Sequence, residues 1–192
     1  MTKNHKISWK PGTQIYPIPA VIVSCGNRPD NWNMLTISWT GTICSDPPMC
    51  YISVRPERAS YPLLLKHMEF TINLTTADMA FATDWVGVRS GKDYNKWVQT
   101  GLTPIPGELV ASPTILESPL SIECRVKNVM KLGSHDLFIA DVLNVRVDPK
   151  FLNEKSGKFE LEKAKLLAYS HGYYHELGAV IGNFGFSVRK NK

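Results

Sequence analysis

The sequence predicts a mainly β protein, an antiparallel barrel with short helical additions, and three observations carry that expectation. At least six stretches of strand character run through the chain, and the short helical patterns between them do not alternate with strands as βαβ units would. Residues 121–130 are one-sided, with Ile122, Cys124, Val126 and Val129 set against Glu123, Arg125 and Lys127, as in an antiparallel sheet with one face in water. The chain has 192 residues, 43% hydrophobic and 20% charged, which suffices for one sizeable core, so a single domain over 1–192 is expected.

Taken in order, residues 1–20 form an irregular arm punctuated by Pro11, Gly12, Pro17 and Pro19. Residues 21–25 are a compact apolar strand, and Gly26, Asn27, Pro29 and Asp30 turn the chain after it. Residues 34–39 and 49–54 flank a turn carrying Gly41, Asp46, Pro47 and Pro48, which reads as one hairpin. Its first strand sets Leu35, Ile37 and Trp39 against Thr36 and Ser38, and its second delivers Arg55, Arg58 and Ser60, donors suited to a phosphate. The hairpin is either an ordinary one with a charged turn or the site of a small anionic ligand.

Ser60 is placed to cap a helix ending near His67, and 69–74 alternate Phe70, Ile72 and Leu74 with Thr71 and Asn73 as a half-buried strand. Thr75 or Thr76 caps a second helix over 77–85, and a third stretch covers 94–100. Four prolines make 103–119 loop and extended chain. After the strand at 121–130, Gly133 turns the chain into a long strand over 135–147. Residues 151–158 are a polar turn region, 160–167 a short helix, and the tail from Tyr169 is aromatic and then basic.

The net charge of +5 is scattered, which weakens a nucleic-acid role and fits a few cations focused on an anionic cofactor. The cysteines at 25, 44, 50 and 124 lack C-x-x-C spacing, which excludes a zinc ribbon and a thioredoxin-type motif. No cleavable apolar leader and no run of about eighteen apolar residues is present, so no membrane role and a cytoplasmic location with reduced thiols are expected.

Several motifs fall short of the chemistry they resemble. GVRSGK at 87–92 has three residues between its glycines and Asp93 after the lysine, so it is no P-loop, yet Arg89, Ser90 and Lys92 can close over an anion as a basic loop. Gly178, Gly182 and Gly185 do not make a dinucleotide fingerprint. His171 and His175 have helical i, i+4 spacing beside Glu176 but no third ligand, so no metal is expected. Ser134, His135 and Asp136 are neighbours in extended chain, point to alternate faces and cannot relay a proton. His135 reads equally as a core histidine or a site residue, and Cys44 as a packed thiol or one touching a ligand.

TISWTGTICSDPPMCYISVRPERAS, NLTT, FATDWVGVRSGKD, IECRVKNV, LGSHDLF and YSHGYY, in that order over 21–186, resemble the flavin reductase-like family of FMN-binding split barrels, in particular its flavoredoxin-like branch. The resemblance implies an antiparallel Greek-key split barrel that forms a homodimer with FMN at the subunit interface. It implies hydride acceptance from NADH or NADPH and transfer to flavin, metal or protein acceptors. Carried over by position, Thr36, Ser38, Trp39 and Thr40 line the isoalloxazine and ribityl chain, and Arg55, Arg58 and Ser60 orient the phosphate with Lys92 adding charge. Asn73 and Thr75 add donors, and His135, with Cys44 as a further candidate, lies near the flavin. Tyr169, His171 and Tyr173 close the site, from the partner subunit in one arrangement. No acid, base or nucleophile is then obligatory, because the flavin carries the redox chemistry. An FMN-binding electron carrier without its own NAD(P)H turnover, paired with an electron-transfer protein, and a cofactor-free dimeric binding module are the alternatives.

Overall fold

The structure is a computed structural model describing residues 5–188. Its strands and helices run β1 (Ile18–Pro19), β2 (Val21–Cys25), β3 (Asn33–Ile37), β4 (Thr40–Ser45), β5 (Pro48–Val54), α1 (Tyr61–His67), β6 (Glu69–Leu74), α2 (Ala80–Val88) and α3 (Lys96–Thr100). There follow β7 (Pro104–Ile105), β8 (Thr114–Ile115), β9 (Leu120–Lys131), β10 (Asp136–Val147), β11 (Leu167–Ser170) and β12 (Tyr173–Glu176). The main sheet has seven strands in the order β3-β2-β6-β9-β10-β5-β4, all antiparallel. In the set β6-β9-β10-β5, the strand that comes first in sequence lies beside the last, a Greek key.

The single hairpin expected over 34–54 is corrected. β3 pairs with β2, with Val21 opposite Ile37, whereas β5 pairs with β4, with Thr40 opposite Ile52. Pro47 and Pro48 confine the turn to its tip, so the strand entering it is 40–45. β3 and β4 are thus opposite edges of the sheet although only Ser38 and Trp39 separate them in sequence. A sheet whose two edges are joined by two residues has to roll up, and Ser53 N donates to Trp39 O at 2.9 Å across the seam.

The barrel interior holds Val23, Ile52, Leu64, Phe70 and Phe138, each fully buried. Each such side chain stabilises the fold by roughly 2–3 kcal/mol. A second apolar cluster forms where α2 lies on the outside of β2 and β3 through Ile22, Met34, Met79 and Val86. An added Cβ on Gly87 would stand 3.1 Å from Thr36 Cβ, so glycine permits this helix to approach the strand closely.

Three further expectations change. The arm stops short of Ile18, which pairs with Tyr169 to build a second sheet, β1-β11-β12. The helix expected over 160–167 is a 3-10 turn at Leu161–Ala164, ended by left-handed Lys165. The helix expected over 77–85 begins as a 3-10 turn and runs on to Val88. Among the described residues no helix is long and apolar enough to cross a membrane.

Candidate functional site

The seam of the barrel opens into a groove. Its larger part, about 530 Å³, lies between Leu35 and Thr36 of β3, the turn after β5 with Arg55, Arg58 and Ser60, and Gly87, Arg89, Ser90 and Lys96 around α2. A recess of about 130 Å³ shares Leu35, Thr36, Arg55 and Arg58 with it and continues to Ser38, Trp39, Ser53 and His135. Ser38 and Trp39 also border a third cavity of about 370 Å³ with Thr40, Tyr51 and the arm at Gly12, Thr13, Gln14 and Ile15.

One end of the groove is strongly cationic. Arg55, Arg58, Arg89 and Lys96 line it against a single carboxylate, Glu57. Arg55 pairs with Glu57 at 3.4 Å, but both side chains are about half exposed or more, so the pair is weak and leaves Arg55 available. Arg58 is held by donating from Nη1 to Gly87 O at 3.1 Å, close to the end of α2. Ser60 is buried near the Cys25 thiol, which burial pushes up to about 12. It makes no side-chain cap on α1, contrary to the sequence expectation.

The other end is aromatic and carries hydroxyls. Trp39 and His135 pack against each other with ring centroids 4.5 Å apart and planes tilted by 41°. Burial, then the charges of Arg55 and Arg58, hold His135 below the usual imidazole range, so the ring stays neutral at pH 7. Its Nδ1 meets Ser134 Oγ at 2.9 Å. Asp136 points the other way and accepts from the Tyr61 hydroxyl, so no acid–His relay forms. Thr36 is fixed by donating to Thr83 O on α2.

Thr36, Ser38, Trp39, Arg55, Arg58, Ser60 and His135 are therefore brought together, with Thr40 on the adjoining cavity. Lys92 lines a separate hollow with Trp32, Tyr94 and Trp97, which meets the groove at Gly91 and Lys96. Cys44 sits in the β4–β5 hairpin with its thiol toward Asp46 O at 3.4 Å and lines none of these cavities.

Asn73 and Thr75 do not line the groove. Both are buried, Asn73 within a polar network and Thr75 donating to Ala20 O. Tyr169, His171 and Tyr173 lie on or beside the β11–β12 hairpin, where the Tyr16 and His171 rings pack at a tilt with centroids 4.5 Å apart. They too stand outside the groove of their own chain. That hairpin also removes the helix on which His171 and His175 would share a face.

Sequence reasoning missed Lys96, the one buried cation of the groove among the described residues. Its signal is faint: a lysine two residues after Tyr94, in a stretch read only as a short helix over 94–100. The pole-to-pole arrangement, cations at one end and a neutral aromatic wall at the other, fits a phosphate-bearing planar cofactor.

The sequence model described as flavin reductase like domain matches residues 13–178. The chain is similar to the flavoredoxin of Desulfovibrio vulgaris (Miyazaki F), with 28% identity and a TM-score of 0.87 over 96% of this chain and 99% of that one. It is similar to the FMN-binding protein of Thermus thermophilus with bound 1-cyclohex-2-enone, with 25% identity and a TM-score of 0.73 over 92% and 96% of the two chains. A split-barrel protein of the flavin reductase type from Shewanella frigidimarina shares the fold at 20% identity and a TM-score of 0.78, over 88% and 86%.

Proposed function

The chain belongs to the flavin reductase-like family, and from that premise we propose that it is an FMN-binding oxidoreductase that takes hydride from NADH or NADPH and passes electrons to a flavin, metal or protein acceptor. The observation that carries the reading is the groove, whose cationic end and aromatic end suit the two ends of FMN. Arg55, Arg58 and Ser60 bind the phosphate, with Lys92 adding charge from the neighbouring hollow. Thr36 faces the ribityl chain, and Ser38, Trp39 and Thr40 border the ring. FMN, when bound, supplies the redox chemistry; the chain supplies binding, orientation and charge. His135, neutral and packed against Trp39, holds that wall in place without adding a charge beside the ring.

The protein acts as a homodimer in this reading, with Tyr169, His171 and Tyr173 closing the partner's site. Tyr173 is 70% exposed and Ile181 and Phe184 almost wholly so, a degree of apolar exposure that supports a covering subunit. Cys25, Cys50 and Cys124 are buried free thiols, which accords with a reducing cytoplasmic setting. The likeness to flavoredoxin at 28% identity favours a second reading, an electron carrier that turns over no nicotinamide.

The deciding experiment is the visible spectrum after incubation with FMN and desalting, followed by anaerobic NADH. Retained flavin that bleaches supports the oxidoreductase. Retained flavin that bleaches with neither NADH nor NADPH supports the carrier, and a protein that binds no FMN in titration sinks both.

A further inference from the structure

Ser38 and Trp39 divide two spaces of opposite character. The recess shares Arg55 and Arg58 with the cationic groove, whereas none of the residues lining the third cavity carries a charge at neutral pH. An anion is drawn to the first and gains nothing in the second, while a neutral ligand enters the second without giving up ionic hydration. Ile15, Ile18 and Trp39 give the third cavity apolar walls, and Gln14, Ser38 and Tyr51 add an amide and two hydroxyls. Ile15 is 86% exposed and Trp39 38%, although both border the same hollow. Apolar surface left in water around a concavity favours a flat apolar occupant. At about 370 Å³ the cavity stands near the lower end of ligand pockets, which run from about 300 to 1,000 Å³, and it suits one or two fused rings. Residues 12–15 belong to no strand or helix, so this part of the arm adjusts to an occupant without breaking a sheet ladder.

We propose that this cavity binds a neutral, flat, carbonyl-bearing ligand of the quinone class, with its rings against Trp39 and Ile15 and its oxygens accepting from Gln14, Ser38 or Tyr51. A phosphate-bearing nucleotide carries charge that this lining leaves unmatched. The inference rests on the FMN reading for its consequence, which is that the ligand is an electron acceptor. The quinone takes up two electrons and two protons and leaves as hydroquinone. Both electrons and one proton come as the hydride of NAD(P)H relayed by the cofactor, and the other proton comes from solvent.

The test is equilibrium dialysis of FMN-loaded and FMN-free protein at pH 7 against 2,3-dimethyl-1,4-naphthoquinone and its 2-hydroxy-3-methyl counterpart, which matches it in size and is ionised at that pH. Wild type is expected to take up the neutral quinone in both forms, about tenfold more tightly than the anion. Ile15→Asp sets a charge in the lining and is expected to lose about tenfold or more in affinity for the neutral quinone, with FMN retention unchanged. Ile7→Asp, at an arm residue 90% exposed but outside the cavity, is expected to lose nothing. Anaerobic reoxidation of the reduced flavoprotein by the neutral quinone is expected to saturate at the dialysis affinity, and a linear dependence on quinone would remove the acceptor role. No uptake, tighter uptake of the anion, or equal effects of Ile15→Asp and Ile7→Asp would overturn the site. Quinone uptake by a protein that binds no FMN would overturn the FMN reading and leave the site standing.

Discussion

Replacing Asn73 with alanine separates a structural role from a cofactor role at a residue that the sequence pattern offers for both. In the structure its carboxamide donates to Ile22 O at 3.1 Å and Ser24 Oγ at 3.0 Å, and accepts from Ile115 N at 3.0 Å and Ser121 Oγ at 2.7 Å. It thereby ties the proline-rich loop before β9 to three strands of the barrel. Alanine leaves the buried Ile115 N–H without an acceptor, which costs about 1–3 kcal/mol, and removes pairs to two serines that rotate only partly to compensate. The sum is about 3 kcal/mol, and for a chain of this size it lowers Tm by roughly 6–12 °C. Differential scanning calorimetry of the FMN-free variant reads that shift, and flavin titration below its transition is expected to show unchanged affinity. A Tm within about 2 °C of wild type together with a tenfold loss of FMN affinity would refute the reasoning and return the carboxamide to the cofactor.

Arg58→Ala removes a charge-assisted phosphate contact and is expected to weaken FMN binding by about 1.5–3 kcal/mol while leaving riboflavin unaffected; unchanged FMN affinity by fluorescence titration takes Arg58 out of the phosphate site. His135 titrates below 6.5 because burial, Arg55 and Arg58 disfavour its cation. With the folded value below the unfolded one, its contribution to stability is present above the unfolded pKa and is lost as pH falls toward the folded one. Proton NMR of its ring reads the midpoint directly, and a midpoint at or above 6.5, or one that Arg58→Ala does not raise, contradicts this account. Tyr61→Phe strips the buried Asp136 carboxylate of its hydroxyl donor, and the expected loss of about 2 kcal/mol appears as a lower urea midpoint; no change would mean that water replaces the hydroxyl.

The strands at 21–25, 69–74 and 121–130 were legible because their apolar patterns follow from burial alone. Their partners were not: 34–39 looks like half of a hairpin, and only closure of the barrel sends it to β2 instead of β5. Asn73 misleads for a related reason. Period-two alternation sets it opposite Phe70 and Ile72, which marks an outward face, but the loop before β9 covers that face and leaves Asn73 with no exposed surface. The first part of the groove was readable because Ser38, Trp39, Arg55 and Arg58 cluster in one short stretch. Lys96 was not, since a lone lysine in a short helix gives no hint that its ammonium turns inward to backbone carbonyls.

Those carbonyls explain how the groove holds so much positive charge in a fixed geometry. Val86 O and Gly87 O lie at the C-terminal end of α2, where the last carbonyls lack helical partners and the macrodipole is negative. Lys96 takes the first and Arg58 the second, so the helix end orients both cations without supplying a formal negative charge. A carboxylate in that place would order them equally well but would neutralise them and compete with an incoming phosphate. Carbonyl oxygens order them and leave the charge unspent, which lowers the reorganisation needed on binding. Gly87 completes the arrangement from the other side: a Cβ there would stand 3.1 Å from Thr36 Cβ, tighter than ordinary contact, so glycine lets the end of α2 lie close on β3 where its carbonyls meet both cations.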